Sequence, residues 1–288
     1  MSGFGQRLLK MFILGFKQLQ DPYYHGFAAQ ISFYLLLSIV PILLLITQIL
    51  GIFNISLETA FEFIEMYTGK QVTSMFGNLF EFSSVGFGNV VFVVIALWAA
   101  SRASFSIMRI SNYTMTDGKS TGKNYFAERF RAIRTMIITI FTIVFSLIIL
   151  VYGKLILAMI VGALGLSEMI YVDSVWLWLR WILGFALYFL MLSYNYYLMP
   201  TEKVQYRKII PGSLFAAVGL LLVTIVYSKY TTSFADYDVL YGALSSVVGI
   251  LFWFYLLAWV ICLGVLFNKL WEDTKTGFSK MNPPEHLG

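Results

Sequence analysis

The chain has 288 residues, of which 59% are apolar and only 12% are charged. A soluble domain usually carries about 45–50% apolar and about 25% charged residues, so a soluble fold could not cover its surface here. The surplus apolar surface predicts one integral membrane domain with short loops. The net charge of +5 is spread over several loops rather than clustered, which argues against nucleic acid as a partner.

Residues 1–30 predict a cytoplasmic amphipathic segment. Apolar and basic side chains alternate there at roughly helical spacing: Phe4, Leu8, Met11, Phe12 and Phe16 with Arg7, Lys10 and Lys17. Two interpretations fit this pattern equally well. The segment is either a helix that lies on the membrane surface or a soluble cap that packs on the cytoplasmic ends of the transmembrane helices.

Six apolar runs follow, each long enough to cross a hydrocarbon core of about 30 Å. They cover residues 31–53, 89–110, 133–164, 175–199, 209–230 and 242–270. Pro41 should kink the first run, and Pro200 closes the fourth. The first loop, residues 54–88, contains a second, acidic amphipathic pattern, and residues 271–288 form a tail. The expected fold is an all-α polytopic membrane helix bundle of about six transmembrane helices, with amphipathic helices at the N-terminus and in the first outer loop.

Charge distribution predicts the orientation of this bundle. Most of the 20 lysines and arginines fall in the two termini and in the loops that follow the second and fourth runs. Because basic residues are retained in the cytoplasm, both termini are expected there, which requires an even number of crossings. Six crossings meet that requirement.

Basic residues also occur inside the predicted spans, which contain no Asp or Glu. Arg102, next to Ser101, lies about 20 Å into the second span, and an intramembrane charge usually marks function. Arg109, Lys154 and Arg180 lie nearer to an interface, which a long side chain reaches by snorkelling. Snorkelling is the weaker alternative for Arg102, and an anionic small molecule or lipid headgroup is its expected partner.

Three residues of the chain are also candidate partners of Arg102. Asp236 and Asp238 would approach it if the last outer loop dips inward, and Tyr34 lies in the first span.

The sequence contains few residues suited to a catalytic or metal site. His25 and His286 lie outside the spans and cannot build a zinc centre. We therefore expect no enzymatic activity, no metal and no cofactor.

Four motifs occur in order along nearly the whole chain. They are residues 25–34 followed by Ser38 and Pro41; residues 97–103 with their Ser-Arg pair; residues 197–200 followed by Arg207, Pro211 and Gly212; and residues 241–242 followed by Trp253, Tyr255, Gly264 and Asn268. The ordered set resembles the YihY/BrkB membrane protein family, once labelled ribonuclease BN. The resemblance implies about six helices in a bacterial inner or plasma membrane, and roles in serum resistance, envelope lipid phenotypes or transport.

The chain departs from the family pattern at Leu266, where a glutamate is common, and at Tyr206, where the usual aromatic is often Trp. The leading functional hypothesis is a transporter or lipid-handling protein for an anionic or amphipathic solute, with membrane lipids as partners. The alternative is a non-transporting envelope scaffold that binds a partner through residues 54–88. Neither the substrate nor the oligomeric state follows from the sequence.

Overall fold

The computed structural model describes residues 3–52, 89–165, 171–201, 204–233 and 243–275. These residues form seven helices and no strand. The helices are α1 (Gly3–Leu19), α2 (Pro22–Ile52), α3 (Asn89–Met115), α4 (Tyr125–Ala163), α5 (Val172–Leu198), α6 (Tyr206–Ser233) and α7 (Ala243–Lys275). The predicted all-α helix bundle is confirmed. The acidic amphipathic helix predicted for residues 54–88 lies outside the described residues.

The six predicted spans correspond to α2 through α7. Four of these helices contain stretches that are long and apolar enough to cross a membrane: Tyr125–Leu150, Val172–Leu198, Tyr206–Tyr230 and Val248–Thr274. Helices α2 and α3, with 31 and 27 residues, cover the first two predicted spans and lie on either side of residues 53–88, which the structure does not describe. Several helices extend beyond the predicted spans, because their polar end turns remain helical.

The six long helices close into a ring. Each helix from α2 to α7 packs against the next one, and α7 packs against α2. Further contacts join α3 to α7 and α2 to α4, while α1 lies on α7. Helix α2 therefore touches helices from both halves of the chain, and its buried Tyr24 and Ile31 share one apolar cluster with Ala258 and Cys262 of α7.

Helices α6 and α7 approach closely at Gly212 and Gly264. The backbone N–H of Gly212 donates to Oδ1 of Asn268 at 2.6 Å. A Cβ on Gly212 would collide with the carbonyl oxygen of Gly264 and with the side chain of Asn268. Nearby, the hydroxyl of Tyr196 donates to a carbonyl of α7 at 2.9 Å. Glycine is needed here because two helix backbones meet.

The loop between α3 and α4 folds against the end of the bundle. Asn112 links this loop to the segment between α5 and α6. Its Nδ2 donates to the carbonyl of Thr121 at 3.1 Å, and its Oδ1 accepts from the backbone N–H of Thr201 at 2.7 Å. Asn124 caps α4 by accepting from the N–H of Ala127. These contacts fix the start of α4 beside α3.

Candidate anion-binding site

Arg102 lies near the middle of α3. It is 13 residues from both Asn89 and Met115, which places it about 20 Å from either end of the helix. Its side chain is exposed, and its guanidinium carbon lies 5.7 Å from the ring centroid of Tyr34 on α2. Tyr34, one of the three suggested partners, thus makes a cation–π contact with Arg102.

Ser101 faces a different direction from Arg102. It is completely buried, and its hydroxyl donates to the carbonyl of Trp98, one turn earlier, at 2.8 Å. Successive residues of a helix are about 100° apart, so one neighbour can face outwards while the other faces the interior. Ser101 thus belongs to the interior of the bundle and not to the surroundings of Arg102.

A second arginine, Arg129, approaches the same region from the start of α4. It is only 4% exposed, and its Nη2 donates to the carbonyl of Trp98 at 2.6 Å. Its guanidinium lies 4.2 Å from the ring centroid of Trp98 and 5.6 Å from that of Phe105. Its Nε is buried without a hydrogen-bond partner. Arg129 is thus a buried cation with an unused donor.

The two arginines lie within one helical turn of each other's contacts on α3 and make up the candidate site. Arg129 contacts Trp98, which precedes Arg102 by four residues on α3, and Tyr34 of α2 contacts Arg102. In the described part of the chain, the ion pairs are made by Lys154, Lys208 and Lys269, and neither arginine has a carboxylate partner. Two like charges in such surroundings favour a bound anion, which would stabilise both of them.

Aromatic rings form the wall of this arginine pair. The ring of Tyr125, at the start of α4, packs edge-on against Phe105 at 5.5 Å, and Trp98 covers Arg129. A guanidinium presents planar donors that match carboxylate or phosphate oxygens, while the rings suit an apolar group. The arrangement can therefore hold the acidic head of a molecule beside an apolar part.

The other predicted site residues have neighbours elsewhere. Nη2 of Arg109 donates to the hydroxyl of Thr121 at 3.3 Å, which ties α3 to the following loop. Lys154 of α4 forms an ion pair with Asp173 in the first turn of α5, and both side chains are largely exposed. Arg180 lies 5.8 Å from the neighbouring ring of Trp181, and its Nε is buried without a hydrogen-bond partner. The predicted partners Asp236 and Asp238 lie outside the described residues.

Arg129 is not among the predicted site residues, because hydropathy places it in the loop before a span that begins at residue 133. The structure starts α4 eight residues earlier, at Tyr125. The available signal was Asn124, a favourable N-cap residue, followed by the acidic Glu128 in the first turn. Those two residues indicate a helix start that hydropathy alone does not show.

A buried carboxylate lies at the joint between α1 and α2. Oδ2 of Asp21 accepts from the hydroxyl of Tyr113 at 2.6 Å, and its Oδ1 accepts from the N–H of Tyr23 at 3.0 Å. Burial and the bond to Asp21 raise the pKa of Tyr113, which lies beyond the predicted second span, so the phenol remains a donor. Within the described ranges, no cluster of three or more His, Cys, Asp or Glu could hold a metal ion.

Comparison with known proteins identifies the family. The family model for virulence factor BrkB matches residues 16–286. A ribonuclease-like protein, YfkH, of Bacillus subtilis is 26% identical over 251 residues, which cover 86% of this chain and 90% of that protein. A UPF0761 membrane protein of Aliivibrio salmonicida is 27% identical over 251 residues, which cover 82% of this chain and 74% of that protein. No solved structure matches the chain.

The match spans nearly all of the described helices, including those that carry Arg102 and Arg129. The resemblance based on four ordered motifs is therefore confirmed. This chain belongs to the BrkB family and is a multi-pass membrane protein.

Proposed function

We propose that the protein binds an anionic amphiphile at Arg102 and Arg129 and moves it within or across the membrane. The observation that carries the proposal is the position of Arg129 on Trp98, one turn before Arg102, with no carboxylate partner for either arginine in the described part of the chain. Removing an ion from water costs several kcal/mol, so a buried arginine normally has a counter-charge. An anionic ligand supplies that charge.

The surroundings of Arg102 favour an amphiphile over a small water-soluble anion. Ile95 and Trp98 precede Arg102 by seven and four residues, so they share its face of α3, and both are exposed. Tyr125 and Phe126 at the start of α4 are exposed as well. In a membrane protein these side chains face lipid, so the apolar part of a ligand would remain among them while its acidic head reaches the arginines.

The location proposed for this activity is a bacterial inner or plasma membrane, with both termini in the cytoplasm. Basic side chains gather at the end of the bundle that carries α1: Arg7, Arg131, Lys208 and Lys269. Positive charge is retained on the cytoplasmic side. No catalytic step is needed for this function, so the protein is proposed to act without enzymatic chemistry.

The binding step is tested with a lipid titration. Phosphatidylglycerol is added to the detergent-solubilised protein, phosphatidylcholine serves as the zwitterionic comparison, and native mass spectrometry measures the bound fraction. A hydrogen bond to a charged group contributes about 1.5–3 kcal/mol, so Arg102→Gln should weaken phosphatidylglycerol binding about tenfold or more. Binding of phosphatidylcholine should not change. Arg102 is exposed and makes few contacts, so this variant should fold.

Arg134→Gln is the matched control, because Arg134 is an exposed arginine of α4. It removes the same charge from a different face of α4, because five residues correspond to a rotation of about 140° from Arg129, and it should leave binding unchanged. Equal losses in both variants, or no loss in either, would refute the site. The transport step is tested separately with a fluorescent phosphatidylglycerol analogue in proteoliposomes. Specific binding without any movement of the analogue would favour a non-transporting envelope protein.

A further inference from the structure

Helix α1 presents three different faces, and one of them packs on α7. Nη2 of Arg7 donates to the carbonyl of Trp271 at 2.7 Å, and Nε donates to the hydroxyl of Thr274 at 3.2 Å. The same guanidinium lies 4.2 Å from the ring centroid of Trp271. Met11, one turn later, is buried in the cluster shared with α7. These contacts hold α1 in place along one side.

A second face of α1 is an exposed apolar stripe. Five large apolar side chains are 44–72% exposed, and their spacing places them side by side on the helix. The stripe consists of Leu8, Leu9, Phe12, Ile13 and Phe16. A helix that served only as a cap would bury its apolar residues against the bundle. Here the apolar residues outside the packed face remain uncovered by the described residues.

The third face is basic. Lys10 and Lys17 are exposed and lie seven residues apart, so they stand in line along one edge of the apolar stripe. A helix with an apolar stripe bordered by lysines is typical of segments that lie in the membrane interface, where the stripe enters the acyl boundary and the lysines reach headgroup phosphates.

The contact with α7 places α1 at the correct depth for such a role. The stretch Val248–Thr274 is long and apolar enough to cross a membrane, and α1 is bound to its last turn through Trp271 and Thr274. The end of a transmembrane stretch marks the level of the lipid headgroups. A lipid surface is thus present beside α1 wherever α7 spans the membrane, which favours lipid over a separate protein as the occupant of the stripe.

We infer that α1 lies in the plane of the membrane and binds anionic lipid headgroups, with Leu8, Phe12 and Phe16 in the acyl boundary and Lys10 and Lys17 on phosphates. This inference does not depend on the arginine pair of α3 and α4. The two interpretations of residues 1–30, a surface helix and a cap on the bundle, are combined in this inference. The helix packs on α7 with one face and lies on the membrane with another.

The test uses the full chain in nanodiscs with a nitroxide label at a single position. Phe12→Cys labels the stripe and Lys10→Cys labels the basic edge, while the native Cys262 is buried. The label at position 12 should be accessible to oxygen and shielded from a water-soluble nickel chelate, and the label at position 10 should show the reverse. Access of nickel to both labels, or shielding of position 12 from both reagents, would overturn the inference, because the stripe would then face water or protein.

The lipid charge is tested with the same label at position 12. The ratio of oxygen to nickel accessibility should be higher in phosphatidylglycerol nanodiscs than in phosphatidylcholine nanodiscs. Attraction to an anionic leaflet corresponds to about fivefold in affinity for each lysine. Lys10→Gln combined with Lys17→Gln should therefore abolish the difference between the two lipids. A difference that survives the double substitution, or no difference in the unsubstituted chain, would contradict the role assigned to the lysines.

Discussion

Replacing Gly212 by alanine should destabilise the protein although alanine is the better helix former. In the interior of a helix this change normally stabilises by about 0.8–1.0 kcal/mol. Here the added Cβ meets the carbonyl oxygen of Gly264 and the side chain of Asn268. Overpacking costs about 1–3 kcal/mol, and weakening the 2.6 Å hydrogen bond from Gly212 to Asn268 costs about another 1 kcal/mol. The expected net loss is about 1–3 kcal/mol.

The assay is thermal unfolding of the purified protein in one detergent, followed by circular dichroism. Gly184→Ala is the matched control, because Gly184 lies within α5 and no other group stands within 4 Å of a Cβ added there. The control should be neutral or slightly stabilising. Equal stability of Gly212→Ala and Gly184→Ala would show that the backbones of α6 and α7 are not in close contact at Gly212 and Gly264.

Two further predictions concern polar contacts. Tyr113→Phe leaves an oxygen of the buried Asp21 without its donor, so unfolding in the same assay should show a loss of about 1–3 kcal/mol, and an unchanged melting temperature would argue against this buried contact. Lys154→Met breaks an ion pair with Asp173 whose two side chains are 55% and 80% exposed, so stability should change by less than about 1 kcal/mol and phosphatidylglycerol binding should stay the same. A large loss of lipid binding in Lys154→Met would mean that the anion site extends beyond the arginine pair.

The helices could be predicted from the sequence because a membrane span is marked by a single property, the hydropathy of a continuous run of residues. Runs of about 20 apolar residues are sufficient to locate α2 through α7. Their ends could not be predicted equally well. The first two turns of α4 contain Glu128, Arg129 and Arg131, and hydropathy treats them as loop. Backbone hydrogen bonds continue through such polar turns, so the structure begins α4 before the apolar run.

The candidate site was predictable only in part. Arg102 could be identified because it interrupts an apolar run, and Tyr34 was among its suggested partners. Arg129 could not be placed beside it, because that requires knowing how the loop after α3 folds back. The position of that loop depends on Asn112, whose side chain forms hydrogen bonds with Thr121 and Thr201, 80 residues apart in sequence. Contacts of this kind are set by tertiary packing and leave no local pattern.

The closed ring of helices has a consequence for biogenesis. Helix α2 leaves the ribosome well before α7, yet part of its surface, at Tyr24 and Ile31, is covered by α7, the last of the described helices. Translation adds about 5–20 residues per second, so α2 waits on the order of ten to fifty seconds before Ala258 and Cys262 reach it. During that interval its inner surface is covered by lipid or by the insertion machinery. The contact between α2 and α7 that closes the ring can therefore form only after the other described helices have been made.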